Sequence, residues 1–436
     1  MTTSSRGLES FVSPYVGVVR AVDELLAAPD DARLFHAVAF ACDHPELLGD
    51  GGPALEGGTG YGPSRERARA AALGEAIERY SASYVPDHEL ALASADELDG
   101  AVDPGRFALF AAEQHADPGF PFAPFARSTR VRWVRGRSLT TGAEARLPAQ
   151  LVYLPWRRLA EGEDAVAYST SNGLACGSTE DDALLAALLE LVERDAFMIT
   201  WAARLSFPRL TWREDSGLLA FERRHLAPAG LRHSAVDLST IHGVPTVLAV
   251  VHADGRCAGE LGVGAAAAPT ARDACRKALV EAYAVHRGAR ALALGPPRSF
   301  RADFADVVEF ADHIHVYALR EHAVHAAFLD ASRQRRRIRD VPRLEGETAA
   351  QHIAALVERL AAQGLEAFCV DVTAPDVRAA GLHVIRAIVP ELCPLDVRHD
   401  ARFLGAERLR RTPHELGLRD RTLRTDELNP YPHPFP

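Results

Sequence analysis

Apolar residues recur at helical spacing over three long stretches of the chain. From Ser64 to Tyr84, alanine, leucine and isoleucine return every three or four positions, and Ser64, just after Pro63, is placed to cap the helix they predict. A second helix is predicted from about Thr179 to Trp201, where Thr179-Glu-Asp-Asp182 sets carboxylates at the positive end of the helix dipole. The third runs from about Thr270 to Leu294 and stops at Gly295-Pro-Pro297. Between the helices, Arg130–Val134, Pro245–Val251 and Glu366–Val372 read as strands, and Gly49-Asp-Gly-Gly-Pro53 reads as a loop closing an N-terminal segment. The alternation is too irregular for a repeating βαβ barrel, so the predicted class is mixed α+β.

The helices repeat one another. Ala72-Leu-Gly-Glu-Ala-Ile-Glu-Arg79 is echoed by Ala187-Leu-Leu-Glu-Leu-Val-Glu-Arg194, and both read A-L-x-E-x-[IV]-E-R. A weaker third member, Ala278-Leu-Val-Glu281-Ala282, keeps the first glutamate and lacks the E-R. Positions i, i+3 and i+4 share a helix face, so Glu75, Glu78 and Arg79 project together, as do Glu190, Glu193 and Arg194. One such group alone reads as a solvated, salt-bridged face. Two groups in largely apolar surroundings are costly unless a cation lies between the carboxylates. The cation that suits four carboxylates without histidine or cysteine is Mg²⁺, and arginine forks suit phosphate oxygens. A Mg²⁺–diphosphate lyase would use similar helix carboxylates, so the residues alone leave the reaction open.

Charge and composition narrow the field. Among 436 residues, 59 acidic side chains against 49 basic ones give a net charge of −10, which argues against wrapping nucleic acid or lying on an anionic membrane. The only lysine is Lys277, with no glycine loop before it, so the lysine-bearing phosphate loop is excluded and a protein kinase is disfavoured. Six scattered cysteines form no C-x-x-C pair, there is no apolar N-terminal signal, and no window approaches eighteen uninterrupted apolar residues; the expected location is cytoplasmic. Asp312-His-Ile-His315 with His322 and His325 has chelating spacing but reads more plainly as structural. Arg333-Gln-Arg-Arg-Arg-Ile-Arg339 is the one dense basic run; a solvated surface is its first reading and contact with an acidic peptide or partner its second.

Taken in order, these segments resemble the YcaO superfamily, in particular its standalone azoline-forming cyclodehydratases, over roughly residues 50 to 436. The resemblance rests on Gly57-Gly-Thr-Gly60 before Ala71–Tyr80, on Ser171-Asn-Gly-Leu-Ala-Cys-Gly-Ser-Thr179 before Leu189–Ala196, on Lys277–Ala282, on Val370–Thr373 through Ile388–Leu392, and on the ending Pro430-Tyr-Pro-His-Pro-Phe-Pro436. It implies a YcaO-like α+β fold with an ATP site lined by helix carboxylates, divided as an N-terminal segment over 1–50, a main domain over 51–425 and a proline-rich tail over 426–436. It implies Mg²⁺ on Glu75, Glu78, Glu190 and Glu193, and ATP on Arg79, Ser178, Asp182, Arg194, Glu281 and Arg287. The resembled enzymes direct the tail's terminal carboxylate into the active site, which makes that of Pro436 a candidate base or orienting group. Some residues depart from the pattern: Ala71 replaces a serine, Thr59 a lysine, Ser178 an asparagine, Asp182 a glutamate and Ala284 a glutamine. The implied activity is ATP-dependent conversion of Cys, Ser or Thr in a ribosomal precursor peptide to thiazoline or (methyl)oxazoline. Thioamide or macrocyclic amidine formation, and a catalytically silent peptide-binding scaffold, are the alternatives. No leader-binding segment is recognisable ahead of residue 50, so a leader-binding, adenylating-enzyme-like partner is expected to recruit the peptide. A flavin-dependent azoline dehydrogenase and homodimer assembly complete the implied set of partners.

Overall fold

A computed structural model describes residues 5–42, 57–156 and 159–435. The predicted loop at 49–53 therefore lies outside the described residues. The chain divides into two interleaved units, Met1–Leu26, Phe35–Leu191 and Gly346–Glu391 forming one, and Ala27–Leu34, Val192–Glu345 and Leu392–Pro436 the other.

The first unit holds two sheets. Strands β1 (Val19–Leu25), β2 (Phe35–Ala41) and β3 (Gly58–Gly62) form an antiparallel meander in that order. Helix α1 (Arg65–Ser83) packs on β3, and the Ser64 side chain caps it by accepting from the Arg67 N–H. The second sheet runs β4 (Ala91–Ala93), β5 (Val131–Ser138), β13 (Phe368–Asp371), β14 (His383–Ile388), β7 (Leu174–Gly177), with β6 (Glu144–Pro148) paired to β5. Ala68, Ala72, Ala76 and Ile77 of α1 share a core with Leu174, Phe368, Val370 and Val384 of that sheet.

The second unit holds a five-stranded sheet ordered β11 (Leu261–Ala267), β10 (Thr246–His252), β9 (Arg232–Asp237), β8 (Arg209–Thr211), β12 (Arg335–Arg337). Its strands pair antiparallel except β8 and β12, which are parallel. Helix α3 (Ala271–Leu294) packs on β11 and β10, capped by the Thr270 side chain at the Asp273 N–H and closed at Gly295. Helix α2 (Glu180–Ala202) belongs to both units, passing from one to the other between Leu191 and Val192. All three long helices start within a residue of their sequence boundaries because their caps are local signals.

β3–α1 and β11–α3 are built alike. A Cβ on Gly58 would lie 2.0 Å from Ala72 O and 2.7 Å from Ala76 N; one on Gly264 would lie 2.8 Å from Ala278 O and 2.5 Å from Ala282 N. In each case glycine on the strand and alanine on the helix let two backbones approach to a distance no side chain fits. The weak third sequence repeat is thus a structural repeat, with Gly264 standing where Gly58 does and Glu281 where Glu75 does.

Candidate nucleotide and metal site

The distances from cap to glutamate set the geometry. Ser64 to Glu75, Thr179 to Glu190 and Thr270 to Glu281 are the same interval of eleven positions. Eleven residues are about three helical turns, so each glutamate returns to the face on which its helix begins, over the preceding strand. There, one carboxylate oxygen of each takes a backbone N–H. Thr59 of β3 donates to Glu75 Oε2 at 2.7 Å, Gly173, just before β7, donates to Glu190 Oε1 at 3.1 Å, and Ala265 of β11 donates to Glu281 Oε2 at 2.9 Å. Among the described residues β3, β7 and β11 are each the end strand of their sheet, so these carboxylates satisfy edge N–H groups that no described strand reaches.

The other expected residues fall around these anchors. In the first unit, Arg79 Nη2 bonds Glu75 Oε1 at 2.5 Å. Glu78 follows on the same face, close enough to Cys176 of β7 to add to the burial that pushes that thiol up to about 12. Ser178 Oγ donates to Asp182 Oδ2 at 3.0 Å, so the two departures from the family pattern complement each other. In the second unit, Glu193 Oε2 accepts from the Ala267 N–H at 3.1 Å, two residues along β11 from the N–H that Glu281 takes. Glu193 and Glu281 therefore meet on one strand edge, a juxtaposition no local pattern announces. Arg194 accompanies Glu193, and Arg287 lies about 120° round α3 from Glu281, 4.0 Å from Asp31. Glu75, Glu78, Arg79, Ser178, Asp182, Glu190, Glu193, Arg194, Glu281 and Arg287 are all half-buried, whereas Lys277 is exposed.

The donors fit Mg²⁺ in kind: carboxylate oxygens, no thiolate, no imidazole. Among the described residues no three His, Cys, Asp or Glu side chains converge as a ready cage. Nucleotide-bound Mg²⁺ ordinarily takes one or two protein carboxylates together with phosphate oxygens.

Asp195, beside Arg194, was not anticipated from the sequence. It is fully buried, with Oδ2 2.7 Å from His242 Nε2 and 2.8 Å from Arg408 Nη2, and Oδ1 accepting the Cys393 N–H at 2.8 Å. Burial pushes its pKa up, and the charge of Arg408 with the bond from His242 outweighs this, holding the carboxyl well below the usual range. The available signal was an aspartate among Leu191, Val192, Ala196 and Phe197, a position that demands a partner.

The proline-rich tail is buried from Pro432 to Phe435. Prolines offer no N–H, but the carbonyls along the tail still need donors. Trp201 Nε1 donates to Tyr431 O at 3.1 Å, the Tyr317 hydroxyl to Pro432 O at 2.6 Å, and His313 Nδ1 lies 2.9 Å from His433 O. The His313 of the chelating pattern thus holds backbone, its Nε2 facing Val397 O at 2.9 Å. The ring of Phe435 lies 4.8 Å from that of Phe197 on α2. The carboxylate of Pro436 lies outside the described residues.

Comparison with known proteins adds three findings. A family model described as YcaO cyclodehydratase, ATP- and Mg²⁺-binding, matches residues 59–393. An uncharacterised protein of Methanothermobacter thermautotrophicus is 32% identical over 192 residues, 44% of this chain and 46% of that protein, so the chain spans about half the length of the curated relatives it matches. A heterocyclase solved in complex with substrate and cofactor superposes with a TM-score of 0.79 at 24% identity over 100% of this chain and 57% of that one; the heterocyclase TruD does so with a TM-score of 0.68 at 26% identity over 85% and 51%.

Proposed function

The chain belongs to the YcaO cyclodehydratase family, and on that premise we propose that it is an ATP- and Mg²⁺-dependent cyclodehydratase of a ribosomally made peptide. The observation that carries this reading is the tripled strand–cap–helix unit, which sets half-buried glutamates over strand edges with arginines beside two of them.

The substrate brings its own nucleophile. A Cys, Ser or Thr side chain adds to the carbonyl of the preceding residue, and the resulting oxyanion attacks the γ-phosphorus of ATP as ADP leaves. Loss of the amide proton with inorganic phosphate then forms the C=N bond of a thiazoline or (methyl)oxazoline. Bound Mg²⁺ neutralises phosphate charge. Glu75, Glu78, Glu190 and Glu193 are the proposed ligand carboxylates, one or two to each ion that would be bound. Arg79 and Arg194 orient phosphate oxygens, and Ser178, Asp182, Glu281 and Arg287 line the nucleotide's surroundings. Their work is positioning and electrostatic stabilisation, so no protein nucleophile is needed.

The Pro436 carboxylate takes the proton of the attacking side chain in this scheme. The anchoring of Phe435 against α2, the helix that carries Glu193 and Arg194, supports it. The proposed partners are the precursor peptide, a leader-binding protein, a flavin-dependent azoline dehydrogenase and a second copy of the chain. Mass spectrometry of the precursor incubated with protein, partner and ATP tests the reading. Loss of about 18 Da per ring, coupled to phosphate release, is expected; ATP turnover with no mass loss rejects it.

A further inference from the structure

The edge of the five-stranded sheet opposite β11 carries the dense arginine run. β12 is last in that sheet and pairs in parallel with β8, Arg335 beside Arg209 and Arg337 beside Thr211. The Arg209 N–H donates to Gln334 O at 3.0 Å. The alternation of a ladder then turns the N–H and C=O of Arg336 towards β8, and those of Arg335 and Arg337 to the open side. At the β11 edge the glutamates of α2 and α3 take up the N–H groups. At the β12 edge, among the described residues, no further strand pairs with β12 on its open side.

The side chains there are cationic and incompletely neutralised. Arg333, Arg335, Arg337 and Arg339 are exposed. Arg336 pairs with Asp237, Arg337 with Asp340 and Arg339 with Glu214. Arg333 has no ion pair among the described residues, and the Arg335 guanidinium bonds only the carbonyls of Ser332 and Gln334. In a chain of net charge −10, this strand edge is locally positive. Like charges disfavour pairing with a second copy of the same edge. An extended acidic chain meets the opposite condition, since its amides match the open N–H and C=O groups and its carboxylates match the guanidinium forks.

We infer that the β12 edge docks an acidic, extended segment of the peptide substrate by strand addition, an inference that rests on the peptide-modifying function proposed above. A nucleic acid would use the charge but has no amide groups to continue the ladder, so peptide is the favoured occupant.

Fluorescence anisotropy with the full-length protein decides it. The probes are a labelled peptide of alternating glutamate and valine, the same peptide N-methylated at alternate residues, and a single-stranded oligothymidylate. The first peptide is expected to bind with an affinity that falls as salt rises. N-methylation, or Arg333→Glu with Arg335→Glu, is expected to weaken binding at least about tenfold, with Mg²⁺–ATP affinity unchanged. No binding by the wild type, equal binding of the methylated peptide or by the variant, or tighter binding of the oligonucleotide overturns the inference. Should the variant lose ATP affinity through misfolding, the methylated peptide still decides, because it leaves the protein untouched. Peptide binding at this edge without ATP-driven mass loss rejects the cyclodehydratase reading and leaves the dock. Normal mass loss with an edge that binds nothing does the reverse.

Discussion

Asp195, itself fully buried, joins a largely buried guanidinium, an imidazole and a backbone N–H in one cluster. Asp195→Asn leaves Arg408 buried without its counter-charge, and the expected loss is about 3–5 kcal/mol of unfolding free energy by urea denaturation. The folded carboxyl titrates below its unfolded value of about 3.9, so its contribution is complete above that pH and disappears only as pH falls through the depressed value. The gap between wild type and variant should therefore be the same at pH 5 and pH 7. Chemistry is tested at other residues. Glu78→Gln with Glu193→Gln keeps size and removes two charges, and peptide-dependent phosphate release is expected to fall by at least about a hundredfold. Retention of turnover would remove these glutamates from the proposed metal site.

At the scale of elements, the strand–cap–helix unit converts a local signal into a position. A capping Ser or Thr fixes where the helix begins, and three turns later a glutamate returns to the sheet edge. Gly58→Ala would set a methyl 2.0 Å from Ala72 O. Separating β3 from α1 to admit it is expected to cost about 1–3 kcal/mol and to weaken ATP binding, readable by thermal unfolding and by nucleotide titration. The tail answers to pH. Burial, with the charges of Arg402 and His313, lowers the pKa of His399 to about 3, and burial holds His433 well below its ordinary value. His433 is satisfied as the neutral ring, Nε2 donating to Asp396 O and Nδ1 accepting from the Phe435 N–H. Groups with lowered folded pKa that are neutral when folded lose stability as pH falls below the unfolded value of about 6.5, by up to about 1.4 kcal/mol per pH unit each. Hydrogen-exchange protection at Tyr431, His433 and Phe435, measured against the intrinsic rate at each pH, should fall from pH 7 to pH 5.

For the whole molecule, the tail ties the end of the chain to the helix that bears the second glutamate pair, through Asn429 at Ala202, Tyr431 at Trp201 and Phe435 at Phe197. One residue added after Pro436 moves the carboxylate without touching those anchors. Cyclisation is expected to fall much more than ATP affinity, and normal product from the extended protein would count against the carboxylate's role. Much of this was legible along the chain: the three helices with their caps, the mixed class, the repeated glutamates and the family resemblance all depend on spacing within one element, where a residue's neighbours are its sequence neighbours. What the sequence alone could not supply depends on partners far apart. That Glu193 and Glu281 meet on β11, that Asp195 answers Arg408 and His242, that a proline tail is held by Trp201, Tyr317 and His313, and that an arginine run ends a sheet were decided by tertiary structure. Buried charges, edge N–H groups and proline-flanked carbonyls must each find a partner, and only the folded chain determines which one is within reach.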